Sequence, residues 1–361
     1  MPLRRSRPLV FLAPLALAAL VTAACGGGGG GSASAGTTAT TSSSSSGGPP
    51  VTVKLGYYPN LTHATAIVGV QQGIFAQALG QDKLQTATFN AGPAAVEALF
   101  SGAVDATYIG PNPVINAYQQ SHGQAIRVIS GATSGGAALV VKPTINSASD
   151  LRGKKLATPQ LGNTQDVALR SWLQGKGLKT DPQGGGDVSI LPQDNSTAVQ
   201  AFRTGQIDGG WLPEPYASQL VAAGGKVLVN EKSLWPGGRF VTTELAVRTD
   251  FLKQHPDAVA RLLQGQVRAN DFVNQHPAQA QQIVNQGLTQ LTGKALPPAT
   301  IQAAWPDLTF TNDPVASSLA ASAAHAEKVG LLGPVDLKGI YDLTPLNQAL
   351  AQAGEPQVAG A

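Results

Sequence analysis

The chain has one cysteine, Cys25, in 361 residues. No intramolecular disulfide is therefore possible, and packing and hydrogen bonds must hold the fold. Charge is scarce as well: charged residues make up 12% of the chain, and the formal net charge is +3. Arg4, Arg5 and Arg7 account for all of that excess, so the remainder is balanced. No Lys/Arg patch interleaved with aromatics is present, and a nucleic-acid partner is not expected. Beyond residue 24 no stretch is apolar enough for a transmembrane helix. Catalytic signatures are also missing. There is no Gly-x-Ser-x-Gly for a serine hydrolase. His63, His122, His255, His276 and His325 never fall into the His-Glu-x-x-His spacing of a zinc site. Gly287 to Lys294 misses the phosphate-loop spacing by one residue, with Ala295 where Ser or Thr is required. The expectation is a chain that is not an enzyme and holds no metal and no cofactor.

What is present begins with an export leader, residues 1–24. A basic start precedes an apolar stretch, Leu9 to Val21, and Ala23-Ala24 then form a small-residue cleavage site. Val21-Thr22-Ala23-Ala24-Cys25 resembles a bacterial lipobox, with Thr22 in place of the usual Leu, so Cys25 is the expected lipidation site. Residues 25–50 are then a lipidated Cys and a disordered linker of Gly, Ser, Thr and Ala, a composition that cannot bury a core. The expected location is extracytoplasmic, on a lipid anchor in the cell membrane.

The globular part carries one pattern twice. Ala95-Val96-Glu97-Ala98-Leu99-Phe100-Ser101-Gly102-Ala103-Val104-Asp105 leads to Tyr108-Ile109-Gly110-Pro111-Asn112-Pro113. A hundred residues on, Ala198-Val199-Gln200-Ala201-Phe202-Arg203-Thr204-Gly205-Gln206-Ile207-Asp208 leads to Trp211-Leu212-Pro213-Glu214-Pro215. Each copy reads as helix, Gly stop, Asp turn, short apolar strand and a Pro-opened helix. A weaker echo links Lys54-Leu55…Asn60-Leu61-Thr62 with Lys155-Leu156…Asn163-Thr164. The alternation of strands and helices predicts largely parallel α/β sheets. Two similar units predict two lobes with a ligand cleft between them. Lobe 1 is expected over 51–135 plus 245–361 and lobe 2 over 136–244, with crossovers near 132–140 and 241–247 acting as a two-strand hinge.

In open α/β sheets ligands bind beyond the carboxyl ends of strands. Five such ends run into helix starts that carry capping residues: Asn60 or Thr62, Asn112, Asn163 or Thr164, Asp194 to Ser196, and Glu214. Convergent helix N-termini bind an anion without Lys or Arg, although every helix needs a cap. His63 is read as a donor to an anion or as a packed histidine, and Trp211 as a ligand contact or as core. Glu214 is a partner for a ligand ammonium or for a helix N-terminus. Arg239 is a candidate lid cation.

Tyr58-Pro59-Asn60-Leu61-Thr62-His63-Ala64, the run from Ala157-Thr158-Pro159-Gln160-Leu161-Gly162-Asn163-Thr164 to Gln165-Asp166-Val167-Ala168-Leu169-Arg170, and Trp211-Leu212-Pro213-Glu214-Pro215 resemble one family. It comprises the solute-binding lipoproteins of ABC importers for aliphatic sulfonates, nitrate and taurine. The resemblance covers essentially all of 51–345. It implies a type II periplasmic-binding fold that closes like a hinged trap and hands a small-molecule anion to permease subunits, as a monomer. Matching positions imply a pocket of Asn60, Thr62, His63, Asn112, Thr133, Gln160, Asn163, Thr164 and Trp211, to which the strand-end argument adds Glu214. An aliphatic sulfonate or taurine-like ligand is the leading expectation. Nitrate or bicarbonate, a thiamine precursor or flavin-like solute, and a ligand-sensing signalling role are the alternatives. The pyrimidine synthases of thiamine biosynthesis resemble the same fold, but their cysteine-rich, iron-associated motif has no counterpart here.

Overall fold

The computed structural model describes residues 49–360. The leader, Cys25 and all but the end of the linker lie outside the described residues. The first stretch comprises β1 (Thr52–Tyr57), α1 (Ala64–Gln71), α2 (Ile74–Leu79), β2 (Lys83–Thr88), α3 (Gly92–Phe100), β3 (Ala106–Ile109), α4 (Pro111–Gln120) and β4 (Ile126–Gly135). The second comprises β5 (Ala137–Val141), β6 (Lys155–Thr158), α5 (Thr164–Gly175), β7 (Ser189–Pro192), α6 (Asn195–Arg203), β8 (Gly209–Pro213), α7 (Tyr216–Ala222) and β9 (Lys226–Asn230). The third comprises β10 (Val241–Arg248), α8 (Thr249–Gln254), α9 (Pro256–Gln275), α10 (Pro277–Thr292), α11 (Pro298–Ala304), β11 (Leu308–Phe310), α12 (Ala316–Lys328) and α13 (Thr344–Ala353).

Two sheets result. A six-stranded sheet, β11-β4-β10-β3-β1-β2, draws on the first and third stretches, and a five-stranded sheet, β7-β6-β8-β5-β9, on the second alone. The sheets are mixed, not largely parallel. β2, β1 and β3 run parallel, as do β7, β6 and β8. Every pairing that involves β4, β5, β9, β10 or β11 is antiparallel. The antiparallel strands β10 and β5 each lie beside the last strand of a parallel trio, because the chain enters and leaves the second sheet at that edge of the duplicated unit.

The duplication has an atomic cause. The Lys54 amide donates to Asp105 Oδ2 at 2.9 Å, and the Asp105 amide returns a bond to the Lys54 carbonyl at 2.8 Å. In the second copy the Lys155 amide donates to Asp208 Oδ2 at 3.0 Å, and the Asp208 amide reaches the Lys155 carbonyl at 2.7 Å. Each aspartate thus clamps the turn after a helix to the start of the neighbouring strand. Gly102 and Gly205 end those helices at φ 72° and 75°, where a side chain would be strained. A cation from an antiparallel strand completes each clamp: Arg248 lies 3.6 Å from Asp105, and Lys142 lies 2.8 Å from Asp208.

Two local features set the path of the chain. Helical structure breaks between α1 and α2 at Gly73 (φ 66°), and the chain turns back so that the Phe75 ring covers Gly69, where a Cβ would lie 2.2 Å from it. β4 continues as strand as far as Gly135. The crossing follows at Gly135 and Gly136 (φ 82° and 77°), where Cβ atoms would meet the Asp307 carbonyl at 2.5 Å and the Leu308 side chain at 2.2 Å. Residues 241–247 form β10 inside the first sheet, and the return passage is 231–240.

Asp208→Ala removes the carboxylate that accepts the Lys155 amide, an exposed bond, and that pairs with Lys142, a partly buried one. It should lower the unfolding free energy by about 1–3 kcal/mol in urea titration, with Asp208→Asn losing less because its amide oxygen still accepts from Lys155. An alanine variant as stable as the parent would show that the clamp does not hold the strand start.

Candidate functional site

The parallel strands of both sheets point their carboxyl ends at one cavity. Tyr58 and Asn60 follow β1, and Thr62 and His63 lie in the 3-10 turn Leu61–His63. Asn90 follows β2 and Gly110 follows β3. From the second sheet come Asn163, Thr164 and Gln165 after β6, Asn195 after β7, and Pro213 at the end of β8. Thr242, near the start of β10, completes the wall. The central space measures about 20 Å³, enough for a water-sized group.

Among the described residues no Asp, Glu, Lys or Arg lines it, and its polar side chains are all neutral amides, hydroxyls and an imidazole. Asn60 and Asn163 occupy N-cap positions with extended backbone, yet neither side chain caps its helix. Asn60 Oδ1 accepts the Thr62 hydroxyl at 2.7 Å, which leaves the Asn60 Nδ2 hydrogens for the cavity. His63 Nδ1 accepts the Tyr58 amide at 3.2 Å, and the two rings stack at 4.2 Å. The remaining ring nitrogen, Nε2, is then the N–H donor. Burial pushes the His63 pKa down to about 3, so the imidazole is neutral at physiological pH. Anion binding through His63 therefore draws on a neutral N–H donor and does not depend on an imidazolium proton lost near pH 6.5. Tyr58 Oη, Thr164 Oγ1 and Asn195 Oδ1 are buried without a hydrogen-bond partner among the described residues. The first N–H groups of α5, at Thr164 and Gln165, have no partner within their helix. Such a wall offers N–H and O–H donors and no opposing carboxylate.

Asn60, Thr62, His63, Asn163 and Thr164 are the sequence-identified residues that meet here. The other five lie elsewhere. Asn112 Nδ2 donates to the Ser322 carbonyl at 3.1 Å, tying α4 to α12. Thr133 Oγ1 donates to the Thr62 carbonyl at 2.7 Å, behind the wall. Gln160 contributes its carbonyl to the turn that presents the Asn163 amide, at 3.0 Å. Trp211 is fully buried in the core of the second sheet, with its indole N–H on Glu231 Oε2 at 2.6 Å. Glu214 accepts the Ser218 amide and hydroxyl at 3.1 and 3.0 Å in the first turn of α7, and burial raises its pKa to about 7. Arg239 pairs with Asp313 at 2.5 Å, away from the cavity. Asn195 falls in the capping run Asp194 to Ser196 named from the sequence, whereas Asn90, Gly110, Gln165, Pro213 and Thr242 are not among the predicted pocket residues. Asn90 and Asn195 follow strand ends, so the strand-end rule reaches them, whereas nothing local marks Thr242.

The loop that presents Asn163 is held from below. Asp166 and Arg170, one turn apart on α5, form an ion pair at 3.0 Å with both side chains fully buried. Asp166 also accepts the Thr158 hydroxyl at 2.8 Å and the Gly162 amide at 3.0 Å. The acidic and basic residues of that motif thus shape the loop, while Asn163, Thr164 and Gln165 just before them line the cavity.

A family profile described as the NMT1-like family matches residues 46–286. The chain belongs to the NMT1-like family. A binding protein of Brucella abortus is 30% identical over 64% of this chain and 69% of its own length. The taurine-binding periplasmic protein of Escherichia coli is 30% identical over 47% of this chain and 51% of its own. Among solved structures, the alkanesulfonate-binding protein SsuA of Xanthomonas axonopodis pv. citri, bound to MOPS, superposes with a TM-score of 0.68 at 20% identity. It covers 82% of this chain and 100% of that one. The nitrate-binding protein NrtA of Synechocystis reaches 0.72 at 16% identity, over 85% and 90%. The fold of this family member is therefore the two-lobed periplasmic-binding fold.

Thr164→Val deletes a buried hydroxyl that has no partner among the described residues. Thermal stability should hold or rise slightly, while affinity for the bound solute falls about ten-fold, the equivalent of one lost hydrogen bond to a charged group. A large loss of stability with unchanged affinity would mean that the hydroxyl serves the fold. A second test concerns the return passage. Glu231, buried beside Trp211 and Trp235, has its pKa raised to about 7 by burial, against the indole hydrogen bonds that lower it. The folded state holds its proton above the ordinary carboxyl range, so the stability linked to this group falls as pH rises from about 4.5 to 7. Glu231→Gln should gain on the parent at pH 8 relative to pH 5 in thermal melts, and a difference independent of pH would contradict this assignment.

Proposed function

We propose that this protein is the solute-binding component of an ABC importer and that it captures a small organic anion, with a sulfonate as the preferred head, between its two lobes. The observation that carries this reading is the donor-rich cavity wall without a single carboxylate. An anion is held there by amide, hydroxyl and imidazole N–H donors and by the N-terminus of α5. Relatives whose names specify taurine and aliphatic sulfonates support the head-group class. The residues assigned to ligand contact are Asn60, His63, Asn163, Thr164 and Asn195, with Tyr58 as a further hydroxyl donor. The passages at 135–136 and 231–240 act as the hinge between a lobe of 51–135 plus 241–361, which takes in β10 and so starts its second part earlier than the expected residue 245, and a lobe of 136–230. Closure is driven only by the extra contacts a ligand makes in the closed form. Delivery to permease subunits, monomeric action without catalysis, and anchoring through a lipid on Cys25 complete the proposal. The small size of the central space favours one second reading, nitrate.

A thermal-shift panel separates them. Alkanesulfonates, taurine, nitrate, sulfate, bicarbonate and riboflavin are each added to the mature domain. A ligand at a hundred times its dissociation constant should stabilise by about 2.7 kcal/mol. Stabilisation by sulfonates supports the leading reading, and stabilisation by nitrate alone moves the assignment to the second. Stabilisation by riboflavin alone overturns both.

A further inference from the structure

The central cavity does not stand alone. A neighbouring chamber of about 30 Å³ shares Tyr58, Asn60, Asn90 and Asn195 with it and adds Asp194. That chamber in turn shares Pro59, Asn90, Ser196 and Tyr216 with a vestibule of about 500 Å³. The three spaces are thus neighbours that share lining residues, a row running from a water-sized interior to a room large enough for a chain of several atoms. The vestibule lies between α6 and α7, which flank the second sheet, and the α10–α11 region, whose Leu288 and Ile301 belong to the first-sheet core. Among the described residues its wall has no Asp or Glu and two cations, Arg203 at the end of α6 and Lys294 just after α10. Neither side chain takes part in an ion pair or a hydrogen bond among the described residues. One cation comes from each side of the cleft.

We propose that the vestibule is a second anion subsite, in which Arg203 and Lys294 together hold the far end of an elongated solute whose first anionic group sits in the central cavity. The inference rests on the proposed function and narrows its solute class to organic anions with two negative ends, such as sulfonated carboxylic acids. Asp194 at the connecting chamber requires that the segment between the ends be neutral or cationic there. Because the two cations flank the cleft, closing it brings both onto the distal anion, which adds to the differential affinity that favours the closed form. Each cation is exposed, so each contributes modestly and in a salt-dependent way.

The test compares a straight-chain alkanesulfonate with a sulfonated carboxylic acid of equal chain length by calorimetry, on the wild-type protein and on Arg203→Gln/Lys294→Gln. The wild type should prefer the doubly charged probe by about ten-fold at low ionic strength, the yield of two partly screened ion pairs, and the preference should shrink in high salt. The double variant should lose the preference while retaining its affinity for the alkanesulfonate. Equal wild-type affinity for both probes, or a preference that survives the double substitution, overturns the subsite and leaves the central anion site standing. Binding of neither probe removes the central site as proposed and the subsite with it.

Discussion

Two successive glycines carry the chain from one sheet to the other, and the position of everything at the cleft follows from how closely that passage is packed. Gly135 and Gly136 both adopt left-handed backbone conformations, and neither has room for a Cβ. The Gly135 amide donates to the Phe240 carbonyl at 3.2 Å, and the Gly136 carbonyl accepts the Glu214 amide at 2.9 Å. The outward and return passages are therefore bonded side by side. A crossing so narrow leaves the two sheets few ways to face each other, and their parallel strand ends meet at the place where Asn60 and Asn163 wait with unused amides. The Leu61 amide reaches the Glu214 carbonyl across that junction at 3.1 Å, so backbone from both sides frames the site before any side chain contributes.

Neutrality is the second organising theme. A buried lysine or arginine would neutralise an anion more strongly, but it would carry a large desolvation cost whenever the site closed without a ligand. Uncharged donors avoid that cost and discriminate by geometry. His63 fits the scheme because burial keeps it neutral with a fixed tautomer. Glu214, next to the cavity-lining Pro213, and Glu231, beside Trp211 in the return passage, follow the same logic on the acidic side: burial raises both to about 7. The fully buried charges that are retained, Asp166 and Arg170, neutralise one another beneath the loop rather than within the cavity.

Much of this architecture was legible in the residues. The duplicated helix–Gly–Asp–strand run marked the two units because its aspartate has a fixed job, receiving the amide of a lysine fifty residues earlier, and that job forces the same residue types twice. The strand-end caps were legible as a group, since three of the five named regions, around Asn60, Asn163 and Asp194, do reach the cavity. Individual roles were less so. Asn112 and Glu214 have the right local context, but tertiary neighbours, Ser322 and Ser218, claim their side chains. Trp211 occupies a position homologous with Tyr108, and both are buried; an apolar strand end carries no mark that separates a ligand wall from a core. Thr242 comes from a strand that joins the site only through the fold, which a local pattern cannot reveal. The mixed strand directions were hidden for the same reason: alternation of helix and strand records local order, not which segment returns to lie antiparallel at an edge.

The way β10 is placed has a consequence for how the molecule comes into being. All five strands of the second sheet lie between Ala137 and Asn230, so that unit has its complete set of partners in one uninterrupted segment. The first sheet does not: β10 lies between β3 and β4, which precede it by more than a hundred residues, and its Arg248 completes the clamp at Asp105. As the chain emerges from its N-terminus, the first unit must wait with an unfilled slot at its centre while the second assembles. Long-range closure of that kind is slow and leaves strand edges exposed in the interval. The later half of the chain is thus the keystone of the earlier one, and a nascent chain released before residue 248 would have one finished half and one open sheet.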